Sequence, residues 1–158
     1  MNIAIIPARG GSKRIPRKNI KEFCGKTMIA YAITVAKESS IFDHVVVSTD
    51  DDEIAHIART LGAETPFVRP TELANDHIAT VPVIAHAIED CRNLGWKFDN
   101  VCCIYPCVPF IQIEDIKGAL VRINNSEVDY CFPITGYPSA IQRALRLLGD
   151  GKVQPFYP

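Results

Sequence analysis

The sequence predicts an α/β fold in which a mostly parallel sheet is covered by helices on both faces. Two observations lead to this prediction. Short apolar runs alternate with helical patterns along most of the chain, as they do in strand–helix–strand units. The apolar runs also lack an in–out alternation, which is typical of strands in a sheet that is buried on both faces.

The predicted elements follow one another at regular spacing. We predict strands where β-branched and apolar residues cluster, and helices where apolar residues recur every three or four positions. Gly62 closes the second helix, Pro82 stands in the first turn of the third, and residues 149–152 are typical of a hairpin turn. The predicted strands are 2–7, 43–49, 64–68, 101–105 and 128–134, and the predicted helices are 27–40, 51–62, 80–95 and 112–124.

Length and cysteine usage set the broad class. At 158 residues the chain fits one domain, residues 1–158, with enough length for a sizeable core. The six cysteines form no CxxC pair and have no histidine at zinc-finger spacing, so they indicate free thiols in the reducing cytoplasm. No apolar stretch is long enough to cross a membrane. We therefore expect a cytoplasmic protein without a membrane partner.

The positive charge of the chain is concentrated near its start. Six of the 17 Lys and Arg residues lie within residues 9–21, and the rest of the chain, with 18 Asp and Glu, is acidic. Such a local basic patch favours a small anionic ligand over nucleic acid, which needs a broader basic face. Parallel sheets bind ligands at the carboxyl ends of their strands, so the loops 7–21, 48–52, 69–80 and 105–111 are the candidate site.

The first of these loops has the composition of a phosphate-binding loop. In IIPARGGSKRIPRKNI, residues 5–20, the adjacent Gly10 and Gly11 follow a strand directly, so that backbone N–H groups can reach a phosphate. The neighbouring Arg and Lys residues match the charge of a nucleoside triphosphate. A solvated basic loop is the alternative. The motifs GxxxxGK[ST] and GxGxxG are both absent from this loop, which disfavours a P-loop NTPase and a dinucleotide dehydrogenase.

The same loop closely resembles the N-terminal motif of the acylneuraminate cytidylyltransferase family. The resemblance continues through VVVSTDDDEIA (45–55), FVRPTELANDHIAT (67–80) and VCCIYPCVPFI (101–111). The turn from Tyr105 to Phe110 is most similar to the pseudaminic acid branch of the family, although Cys107 and Val108 replace the Thr-rich turn expected there. The resemblance implies a three-layer, Rossmann-like nucleotidyltransferase fold with a mostly parallel sheet.

The resemblance also implies an activity. Members of the family join CTP to a nine-carbon nonulosonic acid, giving a CMP-sugar and pyrophosphate for surface glycans. Pseudaminic acid is favoured here, with sialic acid as the other candidate. Magnesium is the expected cofactor, and a homodimer is the expected assembly. The family's metal-binding aspartates lie late in longer chains, in a segment that these residues do not contain. We therefore expect a C-terminally truncated chain and assign no metal ligand.

Roles for individual residues come from the resemblance. Arg9 and Lys18 are the expected catalytic residues, because they would contact the triphosphate and neutralise the charge that develops during transfer. Gly10, Gly11 and Ser12 would donate hydrogen bonds to the phosphates.

Other residues in this region have two possible roles. Asn19 would either bind the nucleotide or hold the backbone of its own loop. Thr80 would either bind the nucleotide or cap the following helix. Asp76 and Tyr105 are candidates for substrate contact, with core packing as the alternative for Tyr105. Asp50 resembles the family's S-T-D element and also fits an N-cap, with Glu53 completing a capping box.

Two functions from different classes remain open. One is a CTP-dependent transferase acting on a nonulosonic acid, and the other is a catalytically silent CTP-binding domain. Release of pyrophosphate from CTP and sugar separates them.

Overall fold

The computed structural model describes residues 1–125, 128–136 and 140–156 and confirms the α/β class. Three short 3₁₀ turns interrupt the order of strands and helices at Lys18–Ile20, Thr71–Leu73 and Ile141–Arg143. The strands and helices, in chain order, are β1 (Asn2–Pro7), β2 (Glu22–Phe23), β3 (Lys26–Thr27), α1 (Met28–Ser39), β4 (His44–Ser48), α2 (Asp52–Thr60), α3 (Thr80–Asn93), β5 (Asn100–Cys103), α4 (Ile113–Asn125), β6 (Leu145–Leu147) and β7 (Val153–Pro155).

The central sheet is parallel and covered on both faces. Within the described ranges its strand order is β4–β1–β5, with Ile5 of β1 opposite Val46 of β4 and Cys103 of β5. Ala4 and Ile6 pack on α1, α2 and α4, whereas Ile3 and Ile5 pack on α3. Alternate residues of β1 therefore enter two separate cores, which is why the strand is apolar throughout. The three-layer prediction is confirmed.

The helix signals of the sequence are also confirmed. All four predicted helices form, with ends within a few residues of the predicted ones. Gly62 follows α2 with a φ of 81°, a left-handed conformation that costs glycine little. Pro82 is the third residue of α3, where an amide N–H would have no partner within the helix.

Two predicted strands do not form. In the predicted strand 64–68, only Glu64 pairs with the sheet, as an isolated parallel bridge to Val46. Pro66 has no N–H to donate, so the ladder cannot continue. The next backbone hydrogen bond runs from Arg69 N to Thr49 O at 2.8 Å. Residues 128–134 pair with no strand among the residues that the structure describes, and Tyr130, Phe132 and Ile134 are exposed. β-branched and aromatic residues favour a strand only where a neighbouring strand accepts them.

Two hairpins complete the fold. β2 and β3 form an antiparallel hairpin that the sequence analysis did not predict. Its two turn residues, Cys24 and Gly25, have φ values of 47° and 80°, as a tight hairpin turn requires. β6 and β7 also pair antiparallel, which confirms the predicted turn at 149–152.

No helix in the described part of the chain has the length and apolarity needed to cross a membrane.

Candidate functional site

Three loops meet at the carboxyl end of the sheet, as predicted. They follow β1, β4 and β5, and the segment that leads into α3 lies against them. Side-chain hydrogen bonds join all four segments, among them Gly10 N–H to Asp50, Arg9 to Asp76, Cys107 to Asn19 and Thr80 to Tyr105. The structure therefore brings most of the predicted site residues into one region.

The peptide group between Arg9 and Gly10 lies at the centre of this region. The side-chain amide of Asn19 donates to the Arg9 carbonyl oxygen at 2.8 Å, and the Gly10 N–H donates to Asp50 Oδ1 at 3.0 Å. A Cβ on Gly10 would lie 2.5 Å from Asp51 Oδ2 and 3.0 Å from Asp51 Cβ. Gly10 is therefore required by the close approach of Asp51, whereas a Cβ on Gly11 would meet nothing within 4 Å.

Two cations of the loop share one carboxylate. Asp76 Oδ1 lies 2.5 Å from Arg9 Nη2, and Asp76 Oδ2 lies 2.5 Å from Lys13 Nζ. The hydrogen bonds from Lys13 and Arg9 hold the pKa of Asp76 below its usual value. Asp76, predicted as a substrate contact, thus sits as an anion among the cations predicted to bind phosphate.

Arg17 fixes the loop to the start of α2. It has a φ of 54° and pairs with Asp51 and Glu53. Asp51 Oδ1 also accepts from Ile54 N at 3.0 Å and so caps α2. The hydrogen bond from Arg17 lowers the pKa of Asp51. The predicted N-cap at Asp50 is therefore wrong by one residue, because the Asp50 carboxylate accepts the Gly10 N–H instead.

Arg69 belongs to this site although the sequence analysis did not select it. Only 4% of the residue is exposed, and its Nε donates to Ser48 Oγ at 3.1 Å while Nη2 donates to the Ser48 carbonyl oxygen. Burial lowers the pKa of Arg69, and the nearby charge of Asp50 opposes that shift. Within the described ranges Arg69 forms no ion pair. No local pattern in FVRPTELANDHIAT distinguishes this arginine. Its burial singles it out, because a buried cation needs a compensating anion.

Asn19, Thr80 and Tyr105 were each predicted to have one of two roles, and their contacts bear on that choice. Asn19 is only 4% exposed and holds the backbone of its own loop. Thr80 Oγ1 lies 2.9 Å from the Tyr105 hydroxyl, and Ala79 is the N-cap of α3, so the capping role of Thr80 is wrong. Tyr105 is 56% exposed, which contradicts core packing.

The other predicted residues lie in the same loop. Ser12 N donates to the Gly10 carbonyl oxygen at 2.9 Å, which tightens the turn. Lys18 begins the first 3₁₀ turn and is half-buried, close enough for its charge to act on the Cys107 thiol. Within the described chain, the hydroxyl of Ser12 and the amine of Lys18 have no side-chain partner, so both are available to a ligand.

The carboxylates beside the loop do not fit a magnesium site. Asp50 accepts a backbone N–H, Asp51 pairs with Arg17, and Asp76 pairs with Arg9 and Lys13. Across residues 1–125, 128–136 and 140–156, no group of three His, Cys, Asp or Glu residues is arranged to hold a metal ion. No described residue is therefore assigned to a metal.

The fold and site together define an α/β domain with a cation-rich loop at the carboxyl end of a parallel sheet. The chain resembles the structure of CMP:2-keto-3-deoxy-manno-octonic acid synthetase complexed with CTP, with a TM-score of 0.64 and 23% identity over 76% of this chain and 46% of that one. It also resembles a cytidylyltransferase from Leptospira borgpetersenii, with a TM-score of 0.62 and 23% identity over 80% of this chain and 50% of that one. At these identities the likeness concerns the fold.

Sequence comparison identifies the family. The cytidylyltransferase family model matches residues 3–146, and the chain belongs to this family. It is 42% identical over 155 residues to a pseudaminic acid cytidylyltransferase of Campylobacter jejuni, covering 98% of this chain and 67% of the relative. It is also 35% identical over 139 residues to a CMP-N,N'-diacetyllegionaminic acid synthase of Legionella pneumophila, covering 87% of this chain and 60% of the relative. The chain thus spans about two-thirds or less of the length of these relatives.

Proposed function

We propose that this chain is the CTP-binding part of an enzyme that joins CTP to a nine-carbon nonulosonic acid, with pseudaminic acid as the favoured sugar. One observation carries the proposal: a loop rich in cations and glycine lies at the carboxyl end of a parallel sheet, in a chain of the cytidylyltransferase family. The choice of sugar rests on the 42% identity to the Campylobacter pseudaminic acid enzyme. A role in surface glycan synthesis is part of the same proposal.

The reaction is an in-line displacement at the α-phosphorus of CTP. The anomeric hydroxyl of the sugar forms a new oxygen–phosphorus bond and loses its proton, while the bond to pyrophosphate breaks and pyrophosphate leaves with the electron pair. Negative charge gathers on the phosphoryl oxygens and on the leaving group. Arg9 and Lys18 would neutralise this charge, and the backbone and hydroxyl donors of Gly10, Gly11 and Ser12 would orient the phosphates.

The free protein already has anions where phosphate would bind. Asp76 accepts from Arg9 and Lys13, and Asp50 accepts from the Gly10 N–H. A carboxylate oxygen and a phosphate oxygen accept the same donors. Binding of the triphosphate to Arg9 would therefore replace Asp76, freeing that carboxylate and the segment that carries it.

The sugar would bind beside the Thr80–Tyr105 pair. The two hydroxyl groups lie 2.9 Å apart, and the exposed Tyr105 ring offers an apolar face next to a polar edge. Such a surface suits a sugar, which has both C–H and O–H groups. Asp76 lies on the segment that leads to Thr80, so it stays a predicted substrate contact once it has left Arg9.

A catalytically silent CTP-binding domain is the second candidate. It is supported by Asp50, Asp51 and Asp76 near the loop, which are engaged by cations or amides and do not fit a metal site. The single domain over residues 1–158, the magnesium requirement, the homodimer and the cytoplasmic location stay predictions from the sequence.

Release of pyrophosphate separates the two candidates. The purified chain is mixed with CTP and magnesium, and then with pseudaminic acid, with N-acetylneuraminic acid or without sugar. If this chain completes the transfer, pyrophosphate is released with pseudaminic acid, more slowly with N-acetylneuraminic acid and not without sugar. Because no described residue is assigned to magnesium, we expect CTP binding to be clear and this release to be slow. CTP binding without any pyrophosphate release would support the silent domain and contradict the transferase.

A further inference from the structure

A chain of hydrogen bonds crosses the site and passes through the Arg9–Gly10 peptide group. The Cys107 thiol donates to Asn19 Oδ1 at 3.4 Å, and Asn19 Nδ2 donates to the Arg9 carbonyl oxygen at 2.8 Å. On the other side of the same planar peptide group, the Gly10 N–H donates to Asp50 Oδ1 at 3.0 Å. This series of hydrogen bonds therefore links the loops that follow β5, β1 and β4.

The planarity of the peptide bond couples the two ends of this series of hydrogen bonds. The carbonyl oxygen and the N–H of a trans peptide group point in opposite directions and cannot rotate independently. Fixing the Arg9 oxygen against Asn19 therefore also fixes the direction of the Gly10 N–H. That N–H is one of the donors that the proposed function assigns to phosphate.

The Cys107 thiol and the Arg9 carbonyl oxygen together set which way the Asn19 amide points, because each contacts one end of it. The oxygen and nitrogen ends of an amide have similar shapes but opposite hydrogen-bonding roles. With the thiol donating to the oxygen end, the nitrogen end faces the Arg9 carbonyl oxygen. Without a donor at Cys107 the oxygen end of the amide loses this partner, and Asn19, which is only 4% exposed, has little access to water as a replacement, so the amide is held less firmly against the Arg9 carbonyl oxygen.

The surroundings of Cys107 keep the thiol in its donating form. Burial raises the pKa of Cys107, and the nearby charge of Lys18 opposes this shift without reversing it. The thiol is therefore protonated at neutral pH and available as a weak donor. Val108, the next residue, packs against the core formed by α1, α2 and α4, which holds this turn in place.

We propose that Cys107 is a positioning residue for nucleotide binding, acting through Asn19 on the orientation of the Arg9–Gly10 peptide group. The thiol does not need to touch the nucleotide for this effect. The inference rests on the proposed function for its link to CTP, whereas the orientation of the peptide group can be measured without any ligand.

The test compares three variants of the full chain with the parent. Cys107→Val removes the donor at nearly constant size, and Cys107→Ser keeps a donor. Cys131→Val is the matched control, because Cys131 is also half-buried and lies outside the site loops. CTP affinity is measured by titration calorimetry, and the Gly10 amide and Asn19 side-chain resonances are followed by ¹H–¹⁵N NMR without ligand.

We expect Cys107→Val to weaken CTP binding by about threefold to tenfold, the range for loss of one neutral hydrogen bond. It should also shift the Gly10 and Asn19 resonances. The CTP affinity of Cys107→Ser should stay within about twofold of the parent, with the Gly10 and Asn19 resonances at their parent positions. Cys131→Val should change neither the CTP affinity nor these resonances. Parent-like CTP binding and an unmoved Gly10 amide in Cys107→Val would overturn the inference.

Two further outcomes are distinguishable. If the parent itself does not bind CTP, the proposed function fails, and the resonances of the ligand-free variants still decide the inference. If Cys107→Val does not fold, Cys107→Ala takes its place. The parent also allows a check on the Asn19 link: rapid solvent exchange of the Asn19 side-chain protons would overturn the inference.

Discussion

The two ends of the central sheet differ in how their polar groups are matched. At the amino end, the Met1 amino group pairs with Asp99 at 2.7 Å, and the Asn2 side chain bonds to Ile41 and Asn100. At the carboxyl end, Arg9 and Lys13 share Asp76, and the buried Arg69 forms no ion pair within the described ranges. Charges at the amino end are thus matched one to one, whereas at the carboxyl end two cations share one carboxylate and a buried arginine has no ion pair among the described residues.

This difference separates residues that serve the fold from residues that the proposed function assigns to a ligand. Packing alone does not require a buried arginine or a cluster of loop cations, because such groups are costly unless an anion compensates them. Changes in the sheet core should therefore lower stability without changing ligand affinity in the folded protein. Removal of a loop cation at the carboxyl end, such as Arg9, should do the reverse.

The largest expected effect is on stability and comes from the core. Ile5 is fully buried between β1 and α3. Replacing it in Ile5→Ala removes buried methyl groups and leaves a cavity, so urea unfolding should show a loss of about 2–5 kcal/mol. In the fraction that stays folded, the dissociation constant for CTP should stay within about twofold of the parent. A large loss of affinity in that fraction would contradict the separation of core and site.

Gly10 and Gly11 provide a matched pair at the site. Gly10→Ala would place a Cβ 2.5 Å from Asp51 Oδ2, and Asp51 is held by Arg17 and by its capping bond. We expect a loss of about 1–3 kcal/mol in urea unfolding, as for other overpacked sites. Gly11→Ala meets open space and should leave unfolding unchanged. Equal effects of the two substitutions would show that the loop has a different conformation.

Arg9 should matter for binding more than for stability. Arg9→Ala removes a cation that the proposed function places on the triphosphate, and we expect the dissociation constant for CTP to rise about tenfold or more in titration calorimetry. Its ion pair with Asp76 is partly exposed, so Tm should change by no more than about 2 °C. Arg122→Ala, on the exposed surface of α4, is the control and should change neither quantity.

The smallest effect concerns acid stability. Because Arg17 holds the pKa of Asp51 below its usual value, the stabilisation is present above the unfolded pKa of about 4 and is lost as the pH falls through the lower folded pKa. Arg17→Ala should therefore flatten the decline of Tm below pH about 4 by a few degrees. Thermal melts from neutral to acid pH measure this, with Arg122→Ala following the parent. Parallel curves for Arg17→Ala and the parent would show that the pair does not stabilise the fold.

Much of the fold followed from local sequence patterns, and the errors have local causes. The helices were predictable because apolar spacing, Gly62 and Pro82 agree with one another. The strand at 64–68 was wrong because Pro66 ends the ladder after one bridge. The β2–β3 hairpin was missed because its turn uses Cys24 at positive φ, where asparagine or glycine is the usual signal.

The site was predictable as a region but not as a set of contacts. The position of the loop after β1 and its charge pointed to the carboxyl end of the sheet. Pairings such as Asp76 with Arg9, Arg17 with Asp51, and Cys107 with Asn19 join residues far apart in the chain, and no local pattern encodes them. The importance of Arg69 depends on its burial, which only the packed structure reveals.

Nucleotide selectivity tests the central claim most directly. Thermal unfolding of the parent chain is measured with CTP, UTP, ATP and GTP at equal concentrations, since a ligand that binds only the folded state raises Tm. The account predicts a clear rise with CTP that is largely lost in Arg9→Ala, and smaller shifts with the other three nucleotides. No shift with any nucleotide, or equal shifts with all four, would contradict a CTP-binding site at this loop.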